Sequence, residues 1–370
     1  DKLLYTGAEL IVNDMVSKGK EYPDVIEELE AVLTPEPNTK FLGMRPGLYF
    51  YYKAQRENPG FINKFLNKKI GEEPVYLSDV ELNLTEDLLL NRLENRGFFY
   101  STATSRVIEK EEKKVASVVY EVNISEPYTL ATYQLDSDSL LVYKRIENYL
   151  PESPIEEGMR FDLAMMKFER ERLDNNLKRE GFYNFNPGFL IFEADTNQYD
   201  QKKFDLYLRL KEDVPPKSII PYRIAEVNVY PNYVIGNDTI AMDTVRYQGR
   251  NYLQEEEFFK PKRLDPYLLI EEGEFYDPVD SRNTSRRLAS IGAYKFVNIT
   301  YEELDTDASD SLGFLQANIF LSPLNKRSVR AELQGVTKSN NFAGPHFALT
   351  YSNRNLFHGG EILSVTGKFG

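Results

Sequence analysis

Two spacings of apolar residues recur along the chain, and together they predict helices and strands in a repeating order. Helical spacing places Val25, Ile26 and Leu29 on one face of a segment that ends near Leu33. Strict alternation between residues 118 and 124 predicts a strand with one buried face. Taken in sequence, each unit of the chain reads strand, helix, helix, strand, strand.

A glycine ends the second helical segment of each unit. Gly97 and Gly181 are followed directly by Phe98 and Phe182, and Gly292 marks a looser third copy. Glycine suits the left-handed residue that ends a helix, and aromatic residues favour strands. Because the copies lie 84 and 111 residues apart, the pattern predicts an array of small domains rather than one large core.

The repeat divides the chain into three units and a tail. The predicted segments are residues 1–126 with an insertion at 38–70, residues 127–214, residues 215–323 with an insertion at 231–261, and residues 324–370. The first insertion is rich in Tyr and Phe, and two interpretations stay open for it: extra core packing or an aromatic docking patch.

A proline falls inside the predicted middle strand of the second unit. Proline donates no ladder hydrogen bond, so this strand is predicted to lie at a sheet edge, with residues 99–107 and 294–302 placed likewise. An edge strand can accept an extended segment of another chain. The candidate edge residues are Tyr183, Phe185, Pro187, Phe189, Leu190, Ile191 and Phe192. Protection of the edges by neighbouring domains is the alternative.

The tail differs in kind from the repeated units. Residues 327–336, 346–351 and 361–369 alternate apolar with polar positions, which is typical of strands of a transmembrane barrel. Since a barrel needs at least eight strands, the pattern predicts that the chain stops inside a larger domain. The first residue, Asp1, likewise predicts a processed or trimmed start.

Composition excludes several functions. With 45 basic and 58 acidic side chains the net charge is −13, and without a dense basic block nucleic acid is not an expected partner. The absence of cysteine rules out disulfides and thiolate chemistry. The sequence contains no run of 18 apolar residues, so no transmembrane helix is predicted.

Candidate sites for chemistry are few. His346 and His358 are more readily explained as turn or rim residues than as metal ligands. Residues 305–310 carry alternate oxygen ligands as in a calcium loop, but the required glycine and terminal glutamate are missing. The run 255–257 is interpreted as a solvated charge cluster rather than a catalytic carboxylate pair. We therefore expect no enzyme activity, no metal and no cofactor.

The order of elements resembles the polypeptide-transport-associated (POTRA) domain, with its glycine–aromatic joint before the second strand. The tail is similar to the first strands of the outer-membrane assembly-factor barrel, and its motif residues are Asn355, Leu356, Phe357 and Gly360. His358 and the glycine pair depart from that family's pattern. The resemblance implies an α+β chain of three POTRA domains followed by the first strands of an outer-membrane β-barrel.

Within this family, three such domains resemble TamA and its lipoprotein-like relatives in Bacteroidota, and BamA is the alternative. The resemblance implies an outer-membrane protein, with residues 1–323 facing the periplasm, that helps to insert or export other proteins without a cofactor. Its implied partners are unfolded outer-membrane or surface protein clients and an envelope-spanning partner similar to TamB. A periplasmic hydrolase or glycan-binding protein is the alternative from another class.

Overall fold

A computed structural model describes residues 2–14, 22–199, 201–234, 243–304, 311–337 and 343–369. Helices and sheets are both present. The chain divides into two compact units, which are residues 1–136, 153–169 and 192–208 and residues 137–152, 170–191 and 209–370. In the described part of the chain, no helix is long and apolar enough to cross a membrane.

The first unit begins with a three-stranded sheet and four helices. Its elements are β1 (Leu4–Asp14), α1 (Pro23–Glu30), α2 (Pro46–Ala54), α3 (Phe61–Ile70), α4 (Leu82–Asn95), β2 (Thr102–Lys110) and β3 (Val115–Ile124). Strand β3 is central, parallel to β1 and antiparallel to β2, so β2 forms an edge. Leu29, Leu89 and Val118 are fully buried and join the two layers into one core.

A second three-stranded sheet belongs mainly to the same unit. Its strands are β4 (Thr129–Leu135), β5 (Leu190–Asp195) and β6 (Lys203–Leu210), in the order β4-β6-β5. Leu130, Phe204 and Leu206 are buried in its core together with Met166. Two helices fall between β4 and β5 in sequence, α5 (Leu141–Tyr149) and α6 (Leu163–Arg179), of which α5 and most of α6 belong to the second unit.

The second unit contains a five-stranded sheet. Its elements are β7 (Tyr222–Tyr230), β8 (Asp243–Tyr247), β9 (Arg250–Gln254), α7 (Pro261–Leu264), α8 (Pro278–Ser290), β10 (Tyr294–Glu303) and β11 (Gly313–Pro323), and the strand order is β10-β11-β7-β9-β8. The β8–β9 hairpin comes from the insertion at 231–261, and sequence reasoning missed it. Its signal is the turn Gln248-Gly249, where both residues have positive φ.

The tail forms an antiparallel sheet of β12 (Arg327–Thr337), β13 (Ala343–Arg354) and β14 (Ile362–Phe369), with β13 in the middle. The three strands predicted from alternation are therefore confirmed, with β13 beginning three residues earlier than expected. Every residue of β14 is exposed, including Leu363, Val365 and Phe369.

The joints behave as predicted at the glycine and differently after it. Gly97, Gly181 and Gly292 all have positive φ. Tyr294 opens β10 as predicted. At the first two joints, however, the aromatic residues do not open the strands, because Phe98 and Phe182 are buried in their cores. The chain first makes a turn, in which the Phe185 amide donates to the Phe182 carbonyl at 3.1 Å. Strands β2 and β5 therefore begin five and nine residues after Gly97 and Gly181.

Each of the first two joint glycines also forms a backbone hydrogen bond with the residue at the start of the following sheet. The Gly97 carbonyl accepts the Tyr128 amide at 2.9 Å, and the Gly181 carbonyl accepts the Tyr222 amide at 2.8 Å. The Tyr128 carbonyl accepts the Phe161 amide at 2.9 Å, and the Tyr222 carbonyl accepts the Tyr276 amide at 3.0 Å. The same hydrogen-bond ladder is thus built twice, once within each compact unit.

This contact leaves no space for a side chain. A Cβ at Gly97 would lie 2.9 Å from both the Cβ and the carbonyl oxygen of Phe161, and one at Gly181 would lie 3.1 Å from the Tyr222 carbonyl oxygen. Both distances are shorter than ordinary packing allows, and one neighbour in each case is backbone. Glycine is needed at these joints for close approach as well as for its backbone conformation.

The two requirements can be separated by mutation. Gly97 and Gly158 have nearly equal φ values of 84° and 83°, but a Cβ at Gly158 meets nothing within 4 Å. We expect Gly158→Ala to lower the free energy of unfolding by about 1 kcal/mol, the cost of left-handed backbone. Gly97→Ala adds a steric clash, so we expect a loss of roughly 2–4 kcal/mol. Urea unfolding of both variants tests this, and equal losses would contradict the close-approach argument.

Candidate functional site

The edge strands are the first candidate surface. Among the described residues, no strand pairs with the outer side of β2, β5 or β10. These are the middle strands of the three repeats in chain order, and their predicted position at a sheet edge is confirmed. An unpaired side presents backbone amides and carbonyls in register, to which another strand can be added. What these edges bind is a separate question.

The residues predicted to form the edge of the second sheet are only partly in it. Pro187 begins a single 3₁₀ turn, capped by Asn186, whose Oδ1 accepts the Gly188 amide at 2.7 Å. Tyr183, Phe185 and Phe189 likewise precede β5. The prediction of one strand interrupted at Pro187 is therefore wrong, because the aromatic run serves the joint turn.

Most side chains of these predicted residues pack inside the protein and are not free to contact a ligand. Tyr183 packs against Tyr222, Tyr276 and Tyr301, with ring centroids 4.9–5.9 Å apart. Phe185 and Leu190 are buried. Ile191 and Phe192 lie in β5 and are half-buried. Of the predicted set, only these two lie in the strand with part of their surface exposed.

Sequence reasoning missed a cleft beside β5. It has a volume of about 310 Å³, and its lining residues are Glu94, Phe99, Tyr100, Tyr128, Phe161, Ala194, Thr196 and Phe204. Phe99, Phe161 and Phe204 form a chain of edge-to-face contacts with centroids 5.2 and 5.6 Å apart. The cleft thus places an aromatic pocket next to Ala194 on the edge strand β5. Its signal was present in the joint aromatics, but only the turn geometry brings them together.

Tyr100 stands at this cleft in an unfavourable conformation. Its φ is +64°, a left-handed value that non-glycine residues rarely adopt, and its side chain is 80% exposed. Such backbone costs on the order of 1 kcal/mol and collects at functional sites. An exposed aromatic ring held in this way beside an apolar cleft is suited to contact an apolar side chain of a ligand.

Ion pairs fix the opposite side of the same joint. Arg96 donates through Nε to Glu28 at 3.2 Å and through Nη1 to Asp162 at 2.5 Å. The pKa of the guanidinium is raised, first by its hydrogen bond to Glu28. Arg160 lies over the Phe98 ring, 4.9 Å from its centroid. Because Arg96 adjoins Gly97 and Arg160 adjoins Phe161, these contacts stabilise the junction that forms the cleft.

The tail motif forms a second organised site. Asn355 is buried with φ +58°, and its Nδ2 donates to the Phe258 carbonyl at 2.6 Å. Its Oδ1 accepts the Gly360 amide at 3.0 Å, and a Cβ on Gly360 would lie 2.6 Å from Ile291. Leu356 and Phe357 lie in the turn between, and the Phe357 side chain is exposed. The motif therefore fastens the β13–β14 turn to the loop before α7.

Two further contacts reinforce this turn. The Lys260 amide donates to the His358 carbonyl at 2.9 Å, and His358 Nδ1 contacts the Glu257 carbonyl. Glu361 accepts the amides of Gly359 and Phe357 at 3.1 and 3.3 Å. Its pKa is lowered, chiefly by the hydrogen bond from its own amide. His358 and the Glu257 carbonyl thus act in local structure.

Among the described residues, no group of three His, Cys, Asp or Glu side chains could hold a metal ion. The calcium-like run at 305–310 lies outside the described residues.

Comparisons with known proteins give distant structural likenesses only. No protein-family model and no curated protein matches the chain. Haemophilus influenzae BamA POTRA3-5 shares 11% identity over 85% of this chain and 96% of its own, with TM-score 0.37. BamA from Haemophilus ducreyi lacking POTRA domains 1-3 shares 13% over 65% of this chain and 37% of its own, with TM-score 0.41. POTRA1-3 of the periplasmic domain of Omp85 from Anabaena shares 11% identity over 87% of this chain and 96% of its own, with TM-score 0.26. At TM-scores below 0.5 a shared fold does not follow from these matches.

Asn355 provides a test of the tail anchor. We expect Asn355→Ala to speed amide exchange across residues 355–361, because it leaves the Phe258 carbonyl and the Gly360 amide without their partner. Thr350→Ala is the control, since the Thr350 hydroxyl bonds across the sheet to Thr366 on an exposed face. Hydrogen-exchange mass spectrometry reads both variants. Unchanged exchange in the Asn355 variant would show that the motif does not fasten the turn.

Proposed function

We propose that residues 1–323 are the periplasmic part of an outer-membrane protein assembly or translocation factor of the POTRA-containing class and form three POTRA domains. The support is the chain's own topology. With α2 and α3 of the insertion set aside, the order strand, helix, helix, strand, strand is found in the first two repeats, and the second strand of each, β2 or β5, lies at a sheet edge. The third repeat keeps the edge strand β10 and adds the β8–β9 hairpin at the other end.

The proposed activity is capture of an unfolded client strand at β5. The observation that carries it is that no described strand pairs with the outer side of β5, while β5 contributes Ala194 to the cleft that also includes Tyr100. Backbone pairing is independent of client sequence, whereas the cleft accepts one apolar side chain. A transmembrane barrel strand alternates apolar and polar residues, so it can supply both contacts.

The tail is proposed to be the start of a membrane-embedded barrel, which places the protein in the outer membrane with residues 1–323 in the periplasm. Val329, Leu333, Val365 and Phe369 are exposed on β12 and β14, as lipid-facing positions would be. Within the class we favour a TamA-like protein with an envelope-spanning partner. A BamA-like central subunit is the second candidate, since both share the Asn355 motif and the repeated domains.

Tyr100 tests the client site without disturbing the core. We expect Tyr100→Gly to weaken binding of a ten-residue alternating barrel-strand peptide about fivefold, because the exposed ring contributes about 1 kcal/mol as an aromatic anchor. Fluorescence anisotropy of the labelled peptide measures the affinity.

The control is Gln248→Gly. Gln248 is also left-handed and exposed, with φ +50°, so this variant relieves the same backbone strain away from the cleft. Both variants should change the free energy of unfolding by no more than about 1 kcal/mol. If the peptide binds the Tyr100 variant as tightly as the Gln248 variant, the cleft is not the client site.

A further inference from the structure

The insertion at 38–70 has a charge opposite to that of the whole chain. It contains seven basic side chains and one acidic side chain, Glu57, within a chain of net charge −13. Its basic residues are Lys40, Arg45, Lys53, Arg56, Lys64, Lys68 and Lys69. The insertion therefore carries a net positive charge within an acidic protein.

The base of the insertion is firmly attached. Asn38 is buried, donates to the Glu73 carbonyl at 2.7 Å and accepts the Val75 amide at 3.0 Å. The Glu72 carboxylate accepts the Thr39 amide at 2.8 Å, and hydrogen bonds from Thr39 lower its pKa. Leu48 on α2 is buried as well. The segment is thus an ordered projection held at both ends.

The first exposed apolar cluster lies at a tight turn. Phe41 and Met44 form an isolated antiparallel bridge around Leu42 and Gly43, which have φ values of +49° and +80°. Leu42 is 84% exposed, and Phe41 and Met44 are exposed as well. A leucine held in left-handed backbone at an exposed tip has neither a conformational nor a packing reason to be there.

The second exposed cluster lies on α3. Phe61 is 83% exposed, Phe65 is 51% exposed, and their rings stack with centroids 6.4 Å apart. Ile62 is exposed beside them, and no residue of α3 is buried. Lys64, Lys68 and Lys69 are exposed on the same helix. These residues make an apolar surface bordered by cations, which contradicts extra core packing as the role of α3.

We propose that the insertion is a peripheral membrane anchor that docks on an anionic lipid surface. Aromatic and aliphatic side chains interspersed with lysines suit the boundary between headgroups and acyl chains, where they need no shaped pocket. Each lysine near an anionic surface adds attraction. The charge contrast with the rest of the chain would orient the protein, so that this element meets the surface first.

A single tryptophan reports docking at this element. The chain contains no Trp, so Phe65→Trp introduces a unique fluorophore. With vesicles of phosphatidylethanolamine and phosphatidylglycerol, we expect a blue shift of its emission and quenching by brominated acyl chains. Phe168→Trp is the matched control, since Phe168 is also exposed (55%) on a helix, α6. It should show neither effect. An unshifted emission spectrum of the Phe65→Trp variant at saturating vesicle concentration would overturn the proposal. This holds even if the protein binds the vesicles through another surface.

Charge provides the second arm, in the Phe65→Trp background. We expect the triple variant Lys64→Gln, Lys68→Gln and Lys69→Gln to lower the affinity for vesicles, measured from the blue shift, at least tenfold. It should also remove the preference for phosphatidylglycerol over phosphatidylcholine. Lys110→Gln, Lys113→Gln and Lys144→Gln change the net charge equally at exposed positions elsewhere and should change the affinity less than twofold. Equal effects of the two triple variants would mean that net charge, rather than this element, attracts the membrane.

Discussion

The hydrogen bond from the Tyr128 amide to the Gly97 carbonyl, and its counterpart between Tyr222 and Gly181, is the contact on which the repeated architecture depends. It forms only if the glycine ends its helix in left-handed backbone and carries no side chain. The first aromatic residue after each glycine, Phe98 or Phe182, then turns into the core. At the first joint this turn also places Phe99 and Tyr100 at the cleft, so the constraint that joins the sheets also shapes the candidate binding site.

Two exposed apolar residues with left-handed backbone mark the two proposed contact surfaces. Tyr100 stands at the cleft beside β5, and Leu42 stands at the tip of the insertion. Gln248, by contrast, is a polar residue in a hairpin turn, where left-handed backbone is expected. Strain carried by an exposed apolar side chain stabilises nothing in the folded chain, which is why both positions are interpreted as sites for a ligand.

The sequence was informative about periodicity and poor at turns. Alternation located β12 to β14, and the joint glycines predicted positive φ at Gly97, Gly181 and Gly292. The edge position of β5 followed from Pro187, although Pro187 itself lies in a 3₁₀ turn. A run of alternating aromatics fits a strand and a buried turn equally well, and only tertiary packing distinguishes them. The cleft could not be predicted, because its lining residues come from segments up to 110 residues apart.

The central claim is that a client strand adds to the outer side of β5, and backbone amide exchange measures this addition directly. With a saturating barrel-strand peptide, exchange should slow at the outward-facing amides of residues 190–195, which is about half of that strand. Exchange in α3 and in the exposed turn of α6 near Phe168 should stay unchanged. Slowed exchange on helix surfaces with no change in β5 would contradict strand addition, even if the peptide binds tightly.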